Sequence, residues 1–520
     1  MKQKILKQKV QKKKQGDEWM KTIEKYEMFE TEFYMKGDNV ILPECTVFKN
    51  GEQEVRVSAF KKYGECYGVR FMPQEEGIWE YQISCGDINE KGMLACVQNT
   101  KRNHGPVKTK GFHFQYADGG TYIPFGTTCY AWIHQTEALQ SETLQTLEKS
   151  PFNKIRMCVF PKSMPYNNND PDCYPFLKGE DGTWDVRKPD PKFWEKLDLR
   201  IKQLMELGIE ADVILFHPYD RWGFAELSQE ESLVYLEYCI ARLSAYRNIW
   251  WSLANEYETV YKKQGKDWDE YGEMLYEKDP YRHLTSIHNI VTLYPKRRWM
   301  THCSVQTKKI DRILFWKEEY QIPILIDECG YEGDLPFDWG SLTAFEMVHR
   351  FWWSICRGGF CTHGETFHRE DEVLWWAKGG KLYGESADRI GFLKGFLYTL
   401  PGEWQAQRIK LWDPNTLEDE NERNFQEAIE HLPKEDRDIF MANVTPMKLE
   451  GEKYSLEYFG RIRPVYKDLQ LREDRTYRVE MIDSWEMTRS IAAEKICGNV
   501  RIELPGKEGI ALLVTEISER

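Results

Sequence analysis

The chain predicts an α/β architecture, a (β/α)8 TIM barrel with an N-terminal and a C-terminal β-sandwich domain. Three observations carry this expectation. From Phe112 to about residue 402, apolar runs alternate with amphipathic stretches eight times, as strand–helix units around a parallel sheet do. From Phe29 to about Val97 the pattern instead alternates with period two. After Asp438 short strand patterns return, separated by turn residues. A doubly wound sheet is the alternative for the central part.

Taken in order, residues 1–24 form a basic tail, in which Lys2, Lys4, Lys7, Lys9, Lys12, Lys13 and Lys14 meet no anion, as in a solvated arm. The N-terminal sandwich, residues 25–100, rests on the alternation in Glu54-Val55-Arg56-Val57 and Gly77-Ile78-Trp79-Glu80-Tyr81, with turns at Lys36-Gly37-Asp38-Asn39 and Asn50-Gly51. The polar stretch Gln98 to Lys110 reads as a linker. In the barrel, residues 111–402, the expected strands are Tyr122 to Thr128, Lys154 to Phe160, Glu210 to Phe216, Asn248 to Ala254, Leu284 to His288, His302 to Gln306, Ile322 to Asp327 and Gly359 to Thr362. Helical patterns fit the gaps, as in Ser228 to Ala245 and in Pro191 to Leu207, which sets Leu197, Ile201, Leu204 and Met205 on one face. Residues 403–437 form a charged connecting segment, and the C-terminal sandwich, residues 438–520, is expected to use strands at Asp438 to Val444, Tyr454 to Phe459, Thr476 to Asp483 and Ile510 to Thr515.

Composition narrows the function. Lysine plus arginine total 71 against 84 acidic residues, a net charge of -13 that argues against a nucleic-acid partner. No apolar run is long enough to span a bilayer, and no apolar segment follows the basic tail as a secretory signal would require. The 13 cysteines are an odd, scattered set without metal-ligand spacing, which reads as reduced thiols and a cytoplasmic address. Aromatic residues make up 14% of the chain, many in loop stretches, and such rings stack on the C–H faces of sugars.

The chemistry is sharpest where two apolar strands end in acid. Asn248-Ile249-Trp250-Trp251-Ser252-Leu253-Ala254 runs into Asn255-Glu256, and Ile322-Pro323-Ile324-Leu325-Ile326 runs into Asp327-Glu328. On strands four and seven of a barrel, Glu256 and Glu328 face one mouth from opposite sides. One carboxyl can then protonate a glycosidic oxygen while the other attacks the anomeric carbon.

With Phe125-Gly126-Thr127-Thr128-Cys129-Tyr130-Ala131-Trp132 and Phe216-His217-Pro218-Tyr219-Asp220-Arg221-Trp222-Gly223, these segments resemble bacterial glycoside hydrolases with an apiosidase-like barrel, of the retaining clan, over nearly the whole chain. The resemblance implies that Glu256 is the acid/base, Glu328 the nucleophile, Asn255 the partner of the sugar 2-hydroxyl and Arg156 the base that keeps the nucleophile ionised. The clan often carries a tyrosine on strand six, where this chain ends Ser304-Val305-Gln306; Gln306 or Tyr331 would fill that place.

Further substrate contacts are expected from His217 and His288 at strand ends, from Trp132, His134 and Trp222 in loops, and from Glu365 after strand eight. The expected activity is retaining hydrolysis of a small, β-linked glycoside or oligosaccharide, without cofactor or metal. A catalytically silent carbohydrate-binding protein and a metal-dependent hydrolase are the rivals. The flanking domains would support the barrel, leaving a homo-oligomer open, or bind carbohydrate.

Overall fold

Glu210–Phe216 and Ile249–Ala254 are buried at every position, the pattern of parallel strands covered on both faces. In the computed structural model they belong to an eight-stranded parallel sheet. Its strands are β1 (Gly126–Thr128), β2 (Lys154–Cys158), β3 (Glu210–Phe216), β4 (Ile249–Ala254), β5 (Thr285–Ser286), β6 (Cys303–Gln306), β7 (Ile324–Glu328) and β8 (Phe360–His363). The order β5-β4-β3-β2-β1-β8-β7-β6 is brought round to a barrel by a parallel bridge between His288 and Ser304. The structure describes residues 20–36, 46–51, 53–85, 87–409, 420–444 and 446–517; the lysine-rich run and the turn at 37–39 fall outside them.

Among the described residues seven long helices cover the barrel: α1 (Glu137–Lys149), α2 (Pro191–Glu206), α3 (Gln229–Leu243), α4 (Gly265–Lys278), α5 (Ile313–Tyr320), α6 (Ala344–Cys356) and α7 (Ser386–Leu397), with one short turn of helix, Trp375–Lys378, before the last. Local signals start them. Asp190 caps α2 with proline at its first position, and Ser228 and Glu231 form a capping box on α3. Leu197, Ile201 and Leu204 of α2 are buried as predicted, and Met205 is half-buried.

Four expectations need correction. The strand expected from Tyr122 to Thr128 is broken, because Pro124 has no N–H to donate; Thr121–Tyr122 joins another sheet and Gly126–Thr128 is β1. The crossover from β5 to β6 contains no helix among the described residues, since Ile290-Val291-Thr292 is β-branched and Pro295 follows. Val107–Lys110, read as linker, is the first strand of a three-stranded meander with His113–Tyr116 and Thr121–Tyr122. That meander stoppers the barrel: Phe114 lies 5.3 Å from the Trp250 ring and 5.5 Å from Phe360, at the starts of β4 and β8. Finally, Asp438 to Val444 lies in a helix, Lys434–Val444, whose first turn carries Glu435 and Asp436 where the helix dipole favours anions.

Both flanking domains are layered sheets. In the N-terminal one a five-stranded sheet, which begins with Lys21–Glu24 from the segment assigned to the tail, faces a three-stranded sheet. Phe48 and Phe71, one from each sheet, are fully buried and stack at 4.0 Å. Arg70 fixes this domain to the barrel through paired bonds of 2.8 and 2.7 Å to Asp198 on α2, which Arg242 of α3 also grips at 2.8 Å. The C-terminal domain has a six-stranded and a two-stranded sheet. Its first strand, Trp404–Arg408, comes from the stretch read as a connecting segment.

Candidate active site

The C-terminal ends of the barrel strands surround a cavity of about 1010 Å³ whose lining includes Glu256 and Glu328. Glu328 is the last residue of β7, so the strand itself aims it. Tyr130, two residues past β1, donates its hydroxyl to Glu328 Oε1, and Arg156 Nη1 stands 3.7 Å from the same oxygen. Tyr331 Oη lies 3.4 Å from Tyr130 Oη, extending the polar group around Glu328.

Glu256 follows β4 in a left-handed conformation, φ 50° and ψ 54°. A non-glycine residue held there stores backbone strain, a feature that concentrates at functional sites. The Tyr219 hydroxyl donates to Oε2, and the Gln306 amide nitrogen, in the orientation that satisfies both its polar atoms, donates to Oε1 at 3.0 Å. Burial raises the pKa of Glu256, and the charge of Glu328 adds to this; Lys162, Tyr219 and Gln306 pull the other way without cancelling it.

A charged network lies below. Fully buried Lys154 bridges Asp212 at 2.7 Å and Asp327 at 2.8 Å, and Asp327 also accepts from Ser304 at 2.5 Å and Thr362 at 2.8 Å. Burial favours the neutral form of Asp327, but Lys154, Arg156 and the hydrogen bonds outweigh it and hold the pKa low. Arg156 is likewise buried, and Tyr130, Asp327, Asp212 and Glu328 overcome that burial to keep it cationic.

Of the residues expected around the substrate, Gln306 and Tyr331 line the cavity with the two glutamates. Arg156 and Asn255 lie just behind: Asn255 is fully buried and accepts from Arg156 Nη2 at 3.5 Å. The remainder do not line it. Trp132 is a core residue whose indole points at Met157 Sδ, 3.3 Å away. His134 and His217 turn Nε2 toward the carbonyls of Cys158 and Phe160, and burial pushes their pKa values down to about 4 and about 3. His288 is wholly buried, and desolvation with the nearby Arg156 charge holds it neutral. Trp222 bonds Asp170 at 2.9 Å on a neighbouring rim, and Glu365 turns away to the backbone N–H groups of Tyr383 and Gly384. Histidine after an apolar run is thus core here, because the strand ends are roofed by long loops.

The residues missed are Tyr130, Tyr219, Lys162, Asn289, Trp316 and Trp339, which with Trp376 form the cavity's aromatic and polar walls. Lys162 sits over the rings of Tyr130 at 3.8 Å and Tyr219 at 4.4 Å, so one cation faces the hydroxyl donors of both glutamates. Tyr130, Lys162 and Tyr219 each lie just beyond a strand end, a signal that was available.

The helix-free crossover after β5 supplies the opposite wall. Glu258, two residues past Glu256, accepts the N–H groups of Ile290 at 2.7 Å, Val291 at 3.0 Å and Thr292 at 2.7 Å. This clamp presents Val291, 82% exposed, at the cavity rim. Glu258→Ala should speed amide hydrogen exchange at residues 290–292 at least about tenfold, since bonds to a charged acceptor contribute about 1.5–3 kcal/mol each. Unchanged exchange by mass spectrometry would show that the loop holds itself.

Comparison with known proteins agrees with the fold. The profile of the apiosidase-like catalytic domain matches residues 108–407, and two domains of unknown function match residues 22–86 (DUF5060) and 444–515 (DUF5605). A Bacteroides vulgatus ATCC 8482 structure, provisionally assigned as a glycoside hydrolase, is 32% identical with a TM-score of 0.82, covering 95% of this chain and 100% of its own. A glycoside hydrolase family 5 structure from the same organism shares the fold at 14% identity and TM-score 0.56, over 80% of this chain and 94% of its own. No functionally curated protein matches the sequence.

Proposed function

The chain belongs to the apiosidase-like family and is a glycoside hydrolase, and from that premise we propose that it cleaves a small, β-linked glycoside or oligosaccharide with retention of configuration. Glu328 is the nucleophile and Glu256 the acid/base. One observation carries the assignment: the two carboxyls share one cavity but stand in opposed environments. Glu328 accepts the Tyr130 hydroxyl with the Arg156 guanidinium 3.7 Å away, partners that orient it for attack, whereas burial and the neighbouring charge raise the pKa of Glu256, as a general acid requires.

In the first step Glu328 forms a bond to the anomeric carbon as the Glu256 proton passes to the departing oxygen. In the second, Glu256 takes a proton from water as that water displaces Glu328. Tyr331, Trp339 and Trp376 give the sugar's C–H face an aromatic wall.

The test is hydrolysis of a panel of aryl glycosides and plant-type oligosaccharides, with proton NMR of the first-formed anomer. Retention is expected. An inverted product would sink the double-displacement reading, and calorimetric binding without turnover across the panel would favour a silent binder. Tyr219→Phe supplies a pH test: it removes a hydrogen bond to the Glu256 carboxylate, so the pKa rises further. The alkaline limb of kcat/KM should move to higher pH by up to about one unit, and a shift to lower pH would contradict Glu256 as the acid.

A further inference from the structure

We propose that Glu332, His363 and Glu365 form a structural site for one divalent transition-metal ion of the zinc class, behind the aromatic wall of the cavity. Each residue offers one ligand atom, the three atoms lie within 4.8 Å of one another, and all three residues are buried. Zinc holds nitrogen and carboxylate ligands at about 2.0–2.2 Å, so a closure of the side chains supplies three of the four positions around a tetrahedral ion. One imidazole and two carboxylates suit such an ion in chemistry and in charge.

The second observation is the histidine's own. His363 is 0% exposed, and its Nε2 has no hydrogen-bond partner, although it points at Glu365 Oε1 from 3.7 Å. Its Nδ1 lies 3.1 Å from Thr127 Oγ1, which already accepts the Trp375 indole N–H at 2.8 Å. Where Nδ1 carries the ring proton, the Nε2 lone pair faces a carboxylate oxygen, and a cation between the two joins them.

The carboxylates are held for that role. Glu332 accepts the backbone N–H groups of Glu385 at 2.9 Å and Ser386 at 3.2 Å and also the Ser386 hydroxyl, and Glu365 accepts the N–H groups of Tyr383 at 2.8 Å and Gly384 at 3.1 Å. These bonds orient the ligands and leave lone pairs free, as supporting hydrogen bonds around metal ligands do. They leave two buried negative charges, however, and among the described residues neither glutamate has a lysine or arginine ion pair. Buried charges are ordinarily paired or bound to metal. Glycine is required at 384, since a Cβ there would come within 2.4 Å of the Glu332 carboxyl.

The ion would tie the ends of β7 and β8, already paired through Glu332–Gly333 and Glu365–Thr366, to the start of α7. Tyr331, which precedes Glu332, belongs to the catalytic cavity, while none of the three ligands lines it. The ion is therefore a brace and takes no part in the chemistry.

The full chain, purified without added chelator, should carry one equivalent of zinc by mass spectrometry. Stripping with dipicolinate should lower the melting temperature by several degrees, and Zn2+ alone should restore it. Turnover per folded molecule, read well below the melting temperature, should be unchanged, which separates a brace from a catalytic ion. Glu365→Gln should weaken Zn2+ at least about tenfold. In case that variant folds poorly, Co2+ added to the stripped wild type reads the site directly through visible d–d absorption. Metal-free protein whose melting ignores both chelator and Zn2+ would overturn the proposal. Equal zinc retention by Glu365→Gln would also overturn it.

Discussion

Glu328→Ala should lose at least about 10⁴-fold in kcat on every glycoside the wild type accepts, while still binding it, because a covalent mechanism has no substitute for its nucleophile. The cavity wall around the missing carboxyl stays: Arg156 keeps Asp212 at 3.5 Å and Asn255, and Tyr130 keeps Arg156 at 3.3 Å. The variant should therefore fold, which circular dichroism and the melting temperature check. A 2-fluoro-sugar of the responsive configuration should label wild-type Glu328 and leave Glu328→Ala unlabelled by peptide mass spectrometry. Label on another residue would remove Glu328 from its role.

Glu256→Ala should fall by about 10²–10⁴ on substrates with poor leaving groups, the usual range for losing a general acid, and by much less on dinitrophenyl glycosides. Added azide should then react with the glycosyl-enzyme and release a glycosyl azide of retained configuration, because a small anion needs no base and fits where the carboxyl was. The wild type should form none. Equal losses on good and poor leaving groups, with no azide product, would show that Glu256 acts by holding the fold of its turn. That alternative is concrete, since its left-handed conformation and the Thr259 hydroxyl bond of 2.8 Å to its carbonyl tie it to that turn.

Much of the site was legible because barrel strands are legible. A run such as Ile249–Ala254 is buried on both faces, as parallel strands covered by helices are, and in a barrel the residue after it emerges at the open end. While Gln306 and Tyr331 came from the resemblance, as alternatives for a strand-six tyrosine, the same logic reached Glu328. It misled at His217, His288 and Glu365, where a strand end is not an open surface: loops fold over it, and polar side chains there are spent on backbone groups or buried. Trp376 lines the cavity while its neighbour Trp375 is locked against Thr127, a division that helix packing alone decides.

By itself the sequence determined the barrel's alternation of strands and helices outside the crossover after β5, the two flanking sheet domains and the pair of acidic strand ends, all of which follow from local periodicity and turn chemistry. Only the tertiary structure decided what surrounds the glutamates. Tyr130, Arg156 with Lys162, Tyr219 and Gln306 come from four separate parts of the chain. Their electrostatic effect depends on distance and burial, and closing the barrel is what sets both.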